Sequence, residues 1–506
     1  MKSGKITRNA GAIRASGILL PIFSLPSRYG IGTIGSEAYR FIDFLKASGQ
    51  TYWQILPIGP TSYGDSPYQS FSAFAANPYF IDLDILEEKQ LLSRKEIENF
   101  FFGDDPLIVD YGLLYQNRLH LLELATDRFT YDDEGFNHFQ KLNADWLDDY
   151  ALFMALKEEN ATVPFMNWEE PLRMRDEKVI RHAKIHLEKR IRFWKVLQYL
   201  FFDQWSSLKN YAHKKGIKII GDIPIYVAED SVDLWTHSEL FQLDKNLKPI
   251  AISGCPPDGF TSNGQLWGNP LYDWEYHKKT GFRWWLRRLQ YAESVYDVVR
   301  IDHFRGFAGY YSIPSENSTA KDGTWYRAPG RELLTAIKEQ LPGGPIIAED
   351  LGYLTEDVKS LLRESGFPGM KVLQFAFDSR EQSDYLPHNY DKNCVVYTGT
   401  HDNTTTYDWQ FSAPAADVAF ARKYLNITSK KTFTESFIRA AIASVANTVI
   451  VPLQDYLGYG TEARINTPGT IGKNWQWRMK TDVLTTRLSD YIYDLTALYG
   501  RLGIQG

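Results

Sequence analysis

VVRIDHFRGF, at residues 298–307, holds the reading that decides the fold. Its first five residues form a short apolar, β-branched run ending in polar residues, the pattern of a strand buried on both faces of a parallel sheet. Seven more such runs stand at 17–21, 51–57, 218–226, 345–349, 372–377, 395–402 and 449–455. Helical patterns separate several of them. Ala38, Phe41, Ile42 and Leu45 fall at i, i+3, i+4, i+7, with Gly49 as a C-cap candidate. Thr355 is a candidate N-cap for a helix with Val358, Leu361 and Leu362 on one face and Gly366 at its end. Eight strand–helix alternations predict an α/β fold, a (β/α)8 TIM barrel. An open doubly wound sheet is the structural rival, but no G-x-G-x-x-G follows its first strand.

Two connections are too long for simple loops. Residues 59–216 read as a Gly/Ser/Pro-rich loop followed by a helical insertion, and residues 228–293 as an insertion carrying the loop SGCPPDGFTSNGQLWGNP at 253–270. They follow strands two and three, so they are expected over the C-terminal mouth, where barrels keep their active sites. All 506 residues are expected to form a single catalytic barrel domain with no C-terminal β-sandwich, since only a helix-like tail at about 485–502 follows the last motif.

Composition narrows the classes. Lys and Arg number 56 against 62 Asp and Glu, which leaves no basic footprint for a nucleic acid. Cys255 and Cys394 are the only cysteines, so a disulfide framework is excluded and a reducing compartment is the default. No Cys/His cluster has zinc spacing and no EF-type loop is present, and no metal or cofactor is expected. Lys2, Lys5, Arg8 and Arg14 precede an apolar stretch at 17–25. That stretch is short, Pro21 interrupts it and no small-residue cleavage site follows, so no secretory signal is expected. No apolar run reaches the roughly 18 residues of a membrane span. A cytoplasmic protein is expected, with a plastid one lacking its transit peptide left open. Aromatic residues make up 15% of the chain. They suit both a large core and stacking on the apolar C–H faces of sugars, and composition does not separate the two.

The strand ends carry the chemistry. The third run gives Asp222, the fourth Arg300 and Asp302, the fifth Glu349 and Asp350, the seventh His401 and Asp402. One such carboxylate is commonly a helix cap; four strand ends bearing them, with an arginine and a histidine, point to a site. Retaining glycoside cleavage needs two carboxyl groups about 5–5.5 Å apart, one attacking the anomeric carbon and one protonating the leaving oxygen. Arg300 shares a strand face with Asp302 and is expected to keep it ionised. Asp402 is expected to raise the proton affinity of Glu349 and to bind hydroxyls of a distorted ring. His303 is expected on the opposite strand face, packed behind the site, and Cys255 is read as packing rather than as a nucleophile.

GDIPIYV at 221–227, VRIDHFRGF at 299–307, IIAEDLG at 346–352 and TGTHDN at 398–403 resemble the four conserved regions of the α-amylase clan, in the same strand order. SYGDSPYQSFSAFA at 62–75, GQLWGNP at 264–270 and RINTPG at 464–469 are similar to glycoside hydrolase family 77, the amylomaltases, and the likeness runs from about 17 to 478. The resemblance implies a 4-α-glucanotransferase acting on 1,4-α-glucans such as maltooligosaccharides, starch or glycogen. It implies Asp302 as nucleophile, Glu349 as acid/base and Asp402 as transition-state stabiliser. Asp222, Arg300, His401 and Tyr68 would surround the sugar whose bond is cut. Ser66, Asp378 and Asn466 would hold further donor-side sugars. Asp258, Gln265, Trp267 and Asn269 would lie near the scissile bond and the acceptor side, and Tyr63 and Phe260 would offer apolar contact. Typical α-amylases close the first two regions with a histidine; Tyr226-Val227 and residues 304–307 stand there instead, as in amylomaltases.

Three rivals stay open. A hydrolase of the same clan would share the first chemical step but release net reducing sugar. A catalytically dead glucan-binding barrel would lack a strand-end carboxylate, and all three are present. A nucleotide-dependent sugar transferase would need a phosphate-cradling glycine loop. Transfer is favoured where an acceptor is held and water is kept out. The two long loops are expected to bring Tyr63, Tyr68, Phe71, Phe260 and Trp267 over the mouth for that purpose, or else to pack them against one another.

Overall fold

The computed structural model describes residues 14–62, 64–257, 262–352 and 354–503. Seven of the eight runs supply strands and the sixth, at 372–377, adjoins one: β1 Ala15–Leu19, β2 Tyr52–Gln54, β3 Lys218–Pro224, β4 Val298–Asp302, β5 Ile346–Ala348, β6 Gly369–Val372, β7 Cys394–Tyr397 and β8 Thr448–Pro452. They pair in parallel in the order β6-β7-β8-β1-β2-β3-β4-β5. Across the remaining gap Ala348 N–H donates to the Pro368 carbonyl at 3.0 Å. The sheet therefore curls onto itself as a (β/α)8 barrel. Its register sets Asp222 of β3 beside Arg300 of β4, and Arg300 beside Ile347 of β5.

Packing fixes the elements around it. Ser36–Ala47 follows β1 and buries Ala38, Phe41, Ile42 and Leu45. Phe41 meets Trp53 of β2 edge-on at 5.1 Å. Burial of each large apolar side chain is worth roughly 1.5–3 kcal/mol, so this one face suffices to dock the helix. Glu356–Ser365 follows β5 and ends at left-handed Gly366; Thr355 occupies the N-cap position, but its hydroxyl makes no capping bond. Gly221 of β3 is required by its neighbour, since a Cβ there would lie 2.2 Å from the Tyr296 ring.

The chain around β6 departs from simple alternation. The β6 strand ends where the expected run begins, and 373–375 is a 3-10 turn. Lys371 interrupts the apolar pattern and lies 5.1 Å over the Tyr385 ring, which hides the strand from a hydrophobicity reading. No α-helix forms between β6 and β7. Ala415–Tyr424, from the next connection, covers that flank with Phe420 and Tyr424, 5.9 and 5.7 Å from Phe377.

The insertion after β2 is helical, as expected, and ends in the 28-residue helix Glu188–Lys215. Two buried glutamines on that helix grip the preceding loop. Gln198 accepts from Ala76 N–H and donates to its carbonyl at 2.8 and 2.9 Å, and Gln204 does the same with Asp82 at 2.7 and 3.1 Å. The stretch 253–270 is not simply a loop. Ala251–Cys255 and Gln265–Pro270 are antiparallel strands of a four-stranded sheet completed by Gly309–Pro314 and Thr324–Arg327, which belong to the connection after β4. Pairing across long sequence separations makes these strands, against a local sequence rich in Gly, Pro and Asn. Among the described residues no helix is long and apolar enough to cross a membrane.

Candidate active site

Arg300 organises the floor of the mouth. It is buried, and its guanidinium donates to Asp222 Oδ2 at 2.6 Å and Asp302 Oδ1 at 2.9 Å. The two carboxylates hold the Arg300 pKa well above its ordinary value, against the burial that would lower it. Tyr68, on the loop after β2, donates its hydroxyl to the same Asp222 oxygen at 2.8 Å. The other oxygen, Asp222 Oδ1, is buried with no protein hydrogen-bond partner. Asp302 is lifted to about 6, chiefly by burial, with Arg300 opposing.

Glu349 follows the last residue of β5. Its Oε2 accepts from His303 N–H at 2.7 Å and its Oε1 from Leu351 N–H at 2.8 Å. Backbone bonds Glu349 N–H to Ile301 O and Phe304 N–H to Glu349 O, both 3.0 Å, bracket Asp302 and Glu349 on adjoining chain segments. Glu349 is pushed up to about 7, first by burial and then by the charge of Asp302. Asp402, expected in that role, is not among the causes. Its own carboxyl stays down at about 2 despite burial, because His401 and Asn466 stabilise the anion.

His303 corrects the strand argument. It lies past the end of β4 with φ at +54°, in the left-handed region, so alternation no longer governs it. Such backbone in a non-glycine residue is uncommon and clusters at functional sites. Its amide serves Glu349, and its ring meets Trp267 edge-on at 4.6 Å. Burial holds the imidazole down at about 3, so it is neutral at working pH.

In the turn after β7 the pair His401 and Asp402 are 3.3 Å apart. Burial alone would lower the His401 pKa, but Asp402 raises it on balance. Asn466 donates to Asp402 Oδ1 at 2.6 Å, and Arg464 donates to the Asp402 carbonyl at 3.0 Å. The Tyr68 ring stacks on His401 at 5.2 Å, and Trp475 closes the group at 5.8 Å from Tyr68 and 5.9 Å from His401. Sequence reasoning missed Trp475; its signal was the aromatic WQW at 475–477, just beyond the quoted motif.

The four-stranded sheet supplies the roof. Asn269 donates to the Val227 carbonyl at 2.8 Å, and Gln69 donates to the Trp267 carbonyl and to Asn269 Oδ1 at 3.2 and 3.3 Å. The Trp267 indole donates to Gln265 at 3.1 Å. The Ser66 hydroxyl accepts from Tyr68 N–H at 3.3 Å, shaping the turn that carries Tyr68. Two expected members stand apart. Asp378 is bound by Arg380, at 2.6 and 2.8 Å, and no contact joins it to the strand-end carboxylates. Phe71 faces the helical insertion, 6.4 Å from Phe153, so for it the packing alternative holds. Tyr63, Asp258 and Phe260 lie outside the described residues. Among the described residues no group of His, Cys, Asp and Glu is arranged to hold a metal ion.

With that geometry established, the chain can be set against known proteins. A family model described as 4-alpha-glucanotransferase matches residues 20–485. A 4-alpha-glucanotransferase from Clostridium butyricum is 50% identical over 483 residues, covering 95% of this chain and 99% of the relative. One from Thermus thermophilus is 47% identical over 478 residues, covering 92% and 95%. Amylomaltase from Streptococcus agalactiae, solved in complex with acarbose, superposes with a TM-score of 0.94 at 44% identity, covering 97% of this chain and all of that one.

Proposed function

The chain belongs to glycoside hydrolase family 77, the 4-alpha-glucanotransferases, and from that premise we propose that it moves a segment of a 1,4-α-glucan onto the 4-hydroxyl of an acceptor glucose or glucan, with Asp302 as nucleophile, Glu349 as acid/base and Asp402 as stabiliser. The observation that carries this assignment is the unequal environment of the two carboxyls. Asp302 is clasped by the Arg300 guanidinium at 2.9 Å, which favours its anion, while Glu349 rests on two main-chain amides and is pushed up by burial and by the charge of Asp302. Two carboxyls with separated proton affinities are what acid and nucleophile roles require.

In the first step the Asp302 carboxylate attacks the anomeric carbon, and the Glu349 proton goes to the leaving 4-oxygen. In the second the Glu349 carboxylate takes the proton of the acceptor 4-hydroxyl, whose oxygen displaces Asp302 from the same carbon. Two inversions retain the α configuration. Asp402, held anionic by His401 and Asn466, faces the positive charge of the oxocarbenium-like transition state. Asp222 Oδ1 and His401 are hydrogen-bonding groups for the hydroxyls of the cleaved sugar, and Tyr68 offers its ring face. Gln265, Trp267 and Asn269 flank the acceptor, and Ser66, Asn466 and Asp378 are assigned to the donor chain. The acarbose complex of the Streptococcus relative supports a sugar chain in this cleft. The whole chain acts as one catalytic unit, with the insertions at 59–216 and 228–293 as its cover. A cytoplasmic setting belongs to the same proposal, and a content of only two cysteines agrees with it.

Maltotriose tests the reaction class. Purified protein should convert it to glucose and a ladder of longer oligomers with almost no net gain in reducing ends. A steady rise in reducing ends without redistribution would establish hydrolysis instead.

A further inference from the structure

One large aromatic ring near the site is left unused by the mechanism. Trp325 sits on the edge strand Thr324–Arg327, all four of whose residues are exposed. Its own exposure is 41%, high for the most apolar ring a chain can display. It is nevertheless firmly held. Arg305 lies with its guanidinium carbon 4.1 Å from the ring centroid. Tyr311, the directly opposed residue on the neighbouring strand, lies at 5.2 Å. That tyrosine is buried and anchored by its hydroxyl to the Ala320 carbonyl at 2.9 Å. The ring is thus positioned before any ligand arrives, which lowers the ordering cost of binding.

Its location follows from Arg305. That residue directly follows Phe304, whose N–H donates to the Glu349 carbonyl at 3.0 Å. The acid/base carboxyl marks the side of the cut bond from which the leaving chain departs and the acceptor enters. Trp267, packed on His303, covers the nearest part of that side. Trp325 is reached from the segment that meets Glu349 through the Arg305 side chain stacked on its ring.

We propose that Trp325 is a stacking platform for the acceptor α-glucan, taking its second or a later glucose rather than the one that bonds. Glucose rings in such a chain expose C–H faces that lie on an indole, and a rigid aromatic selects for acceptors long enough to reach it. Resting on the transferase reading, this adds to it a preference of the site for oligosaccharide over monosaccharide acceptors.

The test is acceptor kinetics with amylose as donor and either glucose or maltotetraose as acceptor. Trp325→Ala should raise the KM for maltotetraose roughly ten-fold, leave the KM for glucose and both kcat values unchanged, and retain the wild-type melting curve. Trp325→Phe should recover most of the loss. Tyr326 is the control, because it faces the other side of the same strand and stacks on Tyr310 at 5.7 Å; Tyr326→Ala should leave both acceptors unaffected. An unchanged maltotetraose KM in Trp325→Ala overturns the platform, and so does an equal loss with both acceptors, which would mark a structural role. Wild-type protein that transfers to neither acceptor sinks the transferase reading itself.

Discussion

The floor and the roof of the barrel mouth are built on opposite principles. The floor is charged and buried. Asp222, Arg300 and Asp302 form one ion cluster on adjoining parallel strands, and Glu349 is fixed by two main-chain amides. The roof is aromatic and amide-rich, built from antiparallel strands drawn from two separate connections. Trp267, Asn269 and Gln69 meet there through uncharged hydrogen bonds, and Trp325 packs between Tyr311 and the Arg305 guanidinium. Bond breaking requires separated proton affinities in a low-dielectric setting, which rigid strands provide. Choosing between water and a sugar requires shape and dryness, which a cover of rings and amides provides.

Substitutions can break that contrast. Asp302→Asn in the floor is expected to lower turnover by roughly 10⁴ or more, with an unchanged circular dichroism spectrum, because the amide is nearly isosteric. Retained turnover would remove Asp302 as nucleophile. The floor should also dominate the pH profile. Asp302 must be ionised and Glu349 protonated, so kcat/KM is expected to be bell-shaped. Its acid limb should lie near the Asp302 value of about 6 and its alkaline limb near the Glu349 value of about 7, both being apparent values of an interacting pair. Beyond each limb the rate falls roughly ten-fold per pH unit. A maltosyl fluoride donor, whose leaving group needs no proton, should lose the alkaline limb in a single-turnover measurement of the first step; its persistence would take the acid role from Glu349. In the roof the smallest effect is expected. Trp267→Ala should reduce the ratio of transfer to hydrolysis by about ten-fold while total donor cleavage changes little. Equal loss of both would mean that Trp267 supports the floor through His303.

The floor was largely legible in the sequence because its logic is local. Strands buried on both faces write continuous apolar runs, and a charged residue at the end of such a run stands out. Arg300 and Asp302 face the same way because they are two residues apart on β4. The reading failed where the chain leaves regular backbone. His303 was placed by strand alternation, but it turns left-handed and its amide bonds to Glu349. Asp402 was credited with lifting Glu349, a claim about distance that no spacing in the chain encodes; burial and Asp302 do it instead. The roof was legible in its residues but not in its form. Residues 251–255 and 309–314 pair across a separation that leaves no local trace, and a glycine- and proline-rich sequence read as a loop. The family resemblance implies Asp378 as a donor-side residue, yet Arg380, two residues away, binds both of its oxygens.

The left-handed turn after β4 has a consequence for stereochemistry. One peptide segment bears the Asp302 carboxylate, the proposed nucleophile, and, one residue later, offers the amide that moors Glu349, the proposed proton donor. The gap between the two carboxyl groups is thereby a dimension of the main chain, insensitive to how the covering loops are remodelled. Donor length, acceptor choice and tolerance of water can all drift with those loops, while the anomeric configuration of every product stays the same.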